Sequence, residues 1–275
     1  MTHKISFRDA VKTYPVKSGT FTALGGVSLD VGEREFVTVV GPSGCGKSTL
    51  LGMAAGLVEP TSGGVSVDGR PVTGPGPDRG VIFQQYALFP WLTVRRNVEF
   101  GLRLTSMPAG ERRARADHAI ELVGLTDFAD ALPKTLSGGM KQRCAIARAY
   151  AVDPEVLLMD EPFGALDALT RVQLQDQLLD TWSKERRTVM FVTHDVEEAV
   201  YLAQRVVVMA ARPGRVHAVV DVDLPYPRTE EIRLSAGFAA LRNQVWQAVY
   251  HQAPAGPDPR KPAGGDAQAP AGAGT

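Results

Sequence analysis

Gly41-Pro42-Ser43-Gly44-Cys45-Gly46-Lys47-Ser48 fits the pattern G-x-x-x-x-G-K-[ST]. It follows the apolar run Phe36–Val40 and opens a helical stretch at Lys47. Glycines let the backbone wrap a phosphate so that its N–H groups point inward, and a helix N-terminus adds partial positive charge. In that reading Lys47 brings a full charge to the β- and γ-phosphates of a bound nucleotide. Ser48 brings a hydroxyl to Mg²⁺, and Thr49 follows at the loop's edge.

A second group of residues could do chemistry on that phosphate. Val156-Leu157-Leu158-Met159-Asp160-Glu161 is an apolar run that ends in two carboxylates. Alone, two acids after a strand read as helix-capping groups. Beside a phosphate loop at a strand's carboxyl end they read differently. Asp160 becomes a Mg²⁺ carboxylate, and Glu161 a general base for the attacking water.

These residues need a sheet to hold them. Short apolar runs at 36–40, 81–83, 156–159, 189–193 and 206–209 read as buried parallel strands. Helical patterns at 47–57 and 168–186 lie among them, the latter with Leu174, Leu178 and Trp182 in i, i+4 register. Shorter, glycine-punctuated runs at 4–7, 27–31 and 64–68 suggest an antiparallel flank. Residues 94–152 are rich in Ala, Arg, Leu and Glu, carry no strand-like run, and read as an inserted helical subdomain. One helix is expected from about 229 to 250 or 252. The Pro/Ala/Gly-rich stretch from 253 or 254 to 275 has no apolar periodicity and reads as a disordered tail.

Leu136-Ser137-Gly138-Gly139-Met140 lies between the loop and the paired acids. Here the sequence closely resembles the ATPase subunits of ABC transporters, whose signature reads L-S-G-G-Q. The resemblance runs from about residue 4 to 224. It implies an α/β P-loop NTPase core, an ABC ATPase, with an antiparallel β flank and a helical subdomain. The ATPase domain would span 1–252, with its core at about 1–93 and 153–228. It implies that Tyr14 stacks on adenine, that Gln84 touches Mg²⁺ and the attacking water, that Asp167 belongs to the D-loop, and that His194 contacts the γ-phosphate. Met140 departs from the family's glutamine, but Ser137, Gly138 and Gly139, which would cap a phosphate, are intact.

In the family that the sequence resembles, ATP sits between the loop of one subunit and the signature of the other, so the resemblance implies that a chain with one loop and one signature works as a dimer. Cys45 is then expected to stand within disulfide reach of position 137 in a second copy. The implied partners are a second ATPase subunit, transmembrane permease subunits and, indirectly, a periplasmic or lipid-anchored substrate-binding protein. Phe89 and Trp91 are expected as exposed anchors for a permease helix. The Phe89-Pro90-Trp91 piece, the run from Asp160 to Arg171 and the run from Met209 to Arg215 resemble the nitrate/sulfonate/taurine importer branch.

The bulk numbers narrow the alternatives. Lys+Arg and Asp+Glu stand at 30 each, which argues against a nucleic-acid partner. No run reaches the roughly 18–20 apolar residues of a membrane span, and the first residues lack a signal-peptide core. The expected place is therefore the cytoplasmic face of the inner membrane, reached through a partner. A soluble ABC-type ATPase uncoupled from transport is the rival reading. Ribosome-acting members carry two cassettes and chromosome-structure members long coiled coils. This chain has one cassette and no sustained heptads. With domains of roughly 50–200 residues, the stretch after Pro225 is not expected to form an added regulatory β-domain.

Overall fold

Phe36-Val37-Thr38-Val39-Val40 has a buried side chain at every position and β-branched or aromatic residues throughout, which suits a strand covered on both faces. Its alternation divides the molecule. Phe36 and Val40 face one hydrophobic core together with Leu157, Met159, Val189, Phe191, Val206 and Val208. Val37 and Val39 face the other, with Val156, Leu158, Met190, Val192, Val207 and Met209.

The computed structural model describes residues 3–17 and 19–251. Elements run β1 (His3–Val16), β2 (Gly19–Gly32), β3 (Phe36–Val40), α1 (Lys47–Ala54), β4 (Ser62–Val67), β5 (Arg70–Pro71), β6 (Arg79–Ile82), α2 (Val94–Leu102), α3 (Ala109–Leu122), α4 (Gly138–Ala151), β7 (Val156–Asp160), α5 (Ala168–Glu185), β8 (Thr188–Thr193), α6 (Val196–Leu202), β9 (Arg205–Ala210), β10 (Arg215–Asp221), α7 (Glu230–Arg233) and α8 (Ala236–Tyr250). The large sheet has the order β10-β9-β3-β8-β7-β6, and a four-stranded sheet has the order β2-β1-β4-β5. Helix α1 and the smaller sheet cover one face of the large sheet, and the remaining long helices cover the other.

The five expected strands form the parallel body of the large sheet. Three expectations need correction. Helix α1 stops at Ala54, three residues short of the reading, because Gly56 turns the chain at φ 73°. The C-terminal helix is two: α7 ends at Arg233, and α8 restarts after Ser235, whose hydroxyl accepts from the Phe238 N–H at 3.2 Å. The flank is longer than read, since β1 and β2 pair from His3↔Gly32 to Val16↔Gly19 through several register shifts. Strand β10 was not foreseen. It is an antiparallel edge, and only Val220 along it is fully buried, so its apolar signal is weak. The tail from 253 lies outside the described residues.

A candidate nucleotide site at four strand ends

Parallel strands deliver their carboxyl ends to one edge of a sheet, where open α/β folds hold ligands. In the order β3-β8-β7-β6 four neighbouring strands do this here. The phosphate loop follows β3, Thr193-His194 ends β8, Asp160-Glu161 ends β7, and Gln84 follows β6. Residues distant in sequence therefore stand in one row.

Gly46 caps α1 in the left-handed region, at φ 92°. An added Cβ there would lie 2.5 Å from Leu24 Cδ2 and 3.0 Å from the Ala23 carbonyl, so a side chain is excluded by both conformation and space. Helix α1 has no side-chain cap and no acidic residue in its first turn. Its N-terminal N–H groups are thereby left for an anion. Lys47 is buried, and its Nζ donates to the carbonyls of Gly41 at 2.9 Å and Pro42 at 3.3 Å. Ser48 Oγ donates to Asp160 Oδ1 at 3.0 Å. Burial, joined by the nearby Glu161 charge, pushes the Asp160 carboxyl above the usual carboxylate range, against the Ser48 bond and the Lys47 charge.

Glu161 has φ 45°, and its N–H donates to the Val192 carbonyl of β8 at 2.9 Å. That bond turns its side chain toward the end of β8. Glu161 Oε2 stands 3.0 Å from His194 Nδ1 and 3.5 Å from Gln84 Nε2. A cleft of about 410 Å³ opens beside them, lined by Tyr14, Phe21, Ala23, Ser43, Gly44, Gly46, Lys47, Ser48, Thr49, Glu161 and His194. One end is aromatic, the middle is loop backbone, and the far end is a carboxylate and an imidazole. That polarity matches a base, a phosphate chain and a reacting terminus.

Phe21 and Ala23 are lining residues that the sequence reading missed. Tyr14 and Phe21 are register partners across the β1–β2 hairpin, so their rings project together at the cleft mouth. The signal was an aromatic residue seven positions beyond Tyr14, visible only once the hairpin is paired.

Gly41, Pro42, Cys45, Gln84, Asp160, Ser137, Gly138, Gly139 and Asp167 do not line the cleft. The first five stand behind or beside it. The signature lies elsewhere on the surface. Ser137 is exposed and caps α4, accepting from the Met140 N–H at 3.2 Å. Gly138 is exposed and Gly139 packs against α5, where an added Cβ would meet Thr170 Cγ2 at 2.6 Å. Met140 packs against the subdomain core, which accommodates it where the resemblance expected glutamine. Asp167 is exposed, caps α5 and accepts from the Thr170 N–H at 3.0 Å, which holds its carboxyl below the usual range.

Cys45 departs from its expected role as an accessible thiol. It is fully buried, its Sγ lies 4.0 Å from Lys47 Nζ, and burial pushes its thiol up. Its N–H is directed at the Pro42 carbonyl, 3.3 Å away. A disulfide to a neighbouring subunit cannot form from this position without unpacking the loop. Cys144 is also buried. Trp91 is 71% exposed, as an anchor would be, whereas Phe89 is half-buried, packed at 4.3 Å between ring centroids on Phe100.

Among the described residues no group of three or more His, Cys, Asp or Glu is arranged to hold a metal alone. No helix among them is long and apolar enough to cross a membrane.

The family model described as ABC transporter matches residues 24–164. A protein of Brucella abortus (strain 2308) is 70% identical over 254 residues, 92% of this chain and 96% of its own length. A nitrate import ATP-binding protein of Synechocystis is 50% identical over 80% of this chain and 83% of its own. An aliphatic sulfonates import ATP-binding protein of Bacillus cereus is 44% identical over 88% and 94%. The dimeric post-hydrolysis structure of the ATP-binding cassette MJ0796, bound to ADP and Pi, superposes with a TM-score of 0.72 at 34% identity. It covers 80% of this chain and 100% of that one.

Proposed function

The chain belongs to the ABC transporter family as an ATP-binding, ATP-hydrolysing subunit, and from that premise we propose that it works as half of a dimer that drives a membrane importer. The observation that carries the dimer reading is the separation of two phosphate-binding elements. The loop at 41–48 lines the cleft, and the signature at 137–139 does not. A second copy would bring its own Ser137, Gly138 and Gly139 over the open side of the cleft, with Asp167 beside them. The dimeric cassette structure supports this.

Within the cleft the roles follow from position. Adenine stacks on Tyr14, with Phe21 beside it. The loop N–H groups and Lys47 take the phosphates, Lys47 exchanging the Gly41 and Pro42 carbonyls for phosphate oxygens. The hard oxygen donors Ser48 Oγ and Asp160 Oδ1, 3.0 Å apart, with Gln84 nearby, suit Mg²⁺, which takes one or two protein ligands and fills the rest with phosphate and water. Bound there, Mg²⁺ would neutralise charge on the β- and γ-phosphates. Glu161 accepts a proton from the attacking water as that oxygen bonds to the γ-phosphorus. The bond from the γ-phosphorus to the β–γ bridging oxygen breaks, leaving ADP and inorganic phosphate. His194, 3.0 Å from Glu161, orients the pair and donates toward the γ-phosphate.

Exposed Trp91, with Phe89 and Phe100 behind it, is the proposed anchor for a permease subunit. The subunit would reach the inner face of the membrane that way. The nitrate and sulfonate relatives support a small oxyanion as cargo, delivered by a separate binding protein. Replacing the chromosomal allele by Lys47→Ala and growing cells on nitrate or an alkanesulfonate as sole nitrogen or sulfur source tests this. Unchanged growth on both would remove the importer assignment.

A further inference from the structure

Glu198 is a carboxyl buried on α6, 5% exposed, with no Lys, Arg or His among the described residues in hydrogen-bond contact. Its Oε1 accepts from Gln175 Nε2 at 2.9 Å, and its Oε2 accepts from the Thr193 hydroxyl. Burial raises this carboxyl above its ordinary range, while both hydrogen bonds oppose the rise. An apolar residue of similar size would be cheaper at such a site.

The partners explain its place. Thr193 is buried, ends β8 and directly precedes His194. Its Oγ1 also accepts from the Asp195 N–H at 3.0 Å, so one hydroxyl grips the chain on the far side of His194. The Asp195 carboxylate accepts from the N–H groups of Glu197 and Glu198 at 2.8 and 3.1 Å, closing the turn onto α6. On the other side, Gln175 of α5 accepts from Arg233 Nη2 at 2.9 Å. The Arg233 guanidinium lies 3.3 Å from the Tyr201 ring centroid and 3.3 Å from Asp176 Oδ1. A continuous polar chain thus runs from Arg233 of α7 through Gln175 and Glu198 to Thr193, the residue before His194.

We propose that Glu198 is a positioning residue that holds the Thr193-His194-Asp195 turn, and so His194, against Glu161, and that Arg233 makes the C-terminal segment part of that brace. The proposal rests on the roles given above to Glu161 and His194. His194 is 63% exposed at its side chain, where it meets Glu161 Oε2 at 3.0 Å, so the backbone turn that carries it sets where its ring stands.

The test is steady-state ATPase on the full chain, with kcat normalised to nucleotide-binding sites. Thr193→Val removes the hydroxyl and keeps the shape, and Thr193→Ser keeps the hydroxyl. Thr193→Val and Glu198→Gln should lower kcat roughly 10- to 100-fold, the scale of a small misplacement of a reacting group. KM for ATP should stay within about twofold, because the loop and Tyr14 are untouched. Thr193→Ser should keep turnover near wild type, and Arg233→Ala should lose several-fold. Wild-type kcat in Thr193→Val, or an equal fall in Thr193→Ser, overturns the proposal. Glu161→Gln and His194→Ala run alongside. If they turn over normally the parent reading fails, whereas their inactivity beside a normal Thr193→Val defeats the positioning role alone.

Discussion

Glu161 Oε2 and His194 Nδ1 meet at 3.0 Å, although one residue follows β7 and the other follows β8. Neighbouring parallel strands in register make the meeting, with Asp160 paired to Val192 across the ladder. The two strand ends thus deliver a carboxylate and an imidazole into direct contact.

If Glu161 takes the proton of water, Glu161→Gln keeps ATP binding and slows hydrolysis by roughly 10²- to 10⁴-fold. The amide retains the size and a hydrogen bond to His194. The variant should accumulate as an ATP-held dimer on size exclusion. Turnover within a few-fold of wild type would remove Glu161 from the chemistry.

Neither cysteine should react in the folded chain. Burial pushes the Cys45 thiol up and the Cys144 thiol up to about 12, so each stays protonated near pH 7, and the thiolate is the reactive form. Maleimide labelling followed by mass should show no adduct in buffer and two adducts in denaturant. Rapid labelling of Cys45 in buffer would show that the phosphate loop opens.

Trp182 is fully buried, stands edge-on to Phe36 at 5.6 Å, and its indole N–H donates to the Arg187 carbonyl at 2.8 Å. Trp182→Ala removes that packing beneath β3 and should cost about 3–5 kcal/mol in denaturant unfolding. Trp182→Phe should recover much of it. A loss below about 1 kcal/mol in the alanine variant would mean the core repacks around α5.

The stretch from 253 to 275 is too poor in apolar residues to build a core of its own. Truncation after residue 252 should leave the thermal midpoint and the ATPase rate unchanged. A loss of several degrees would show a docking site for it.

The placement of the candidate site was legible because it is carried by short motifs at strand ends. Lys47, Ser48, Asp160 and His194 each follow an apolar run whose strand character is strong, and the parallel topology does the rest. Weaker signals failed for identifiable reasons. Strand β10 exposes Arg215, His217, Val219 and Asp221 in alternation, so no apolar run marks it. Phe21 belongs to the site only through its register with Tyr14, and hairpin register is a long-range property of bulged strands. The inward turn of Cys45 is set by how the loop winds over α1, which residue spacing does not encode. The break at Ser235 does carry a local signal, a serine before a helical run, but the charged turn at 230–233 ahead of it has the same helical character and masks the interruption.

The central claim is that each ATP is shared by two chains, and complementation between two dead variants tests it most directly. Lys47→Ala removes the phosphate cation and leaves the signature. Ser137→Arg blocks the signature and leaves the loop. Each alone should hydrolyse ATP at a small fraction of the wild-type rate. Mixed in equal amounts, they should regain activity, because the mixed dimer has one site with an intact loop from one chain and an intact signature from the other. A mixture as inactive as its components, with mixed dimers confirmed by mass, would mean that each signature serves its own loop and would contradict the account.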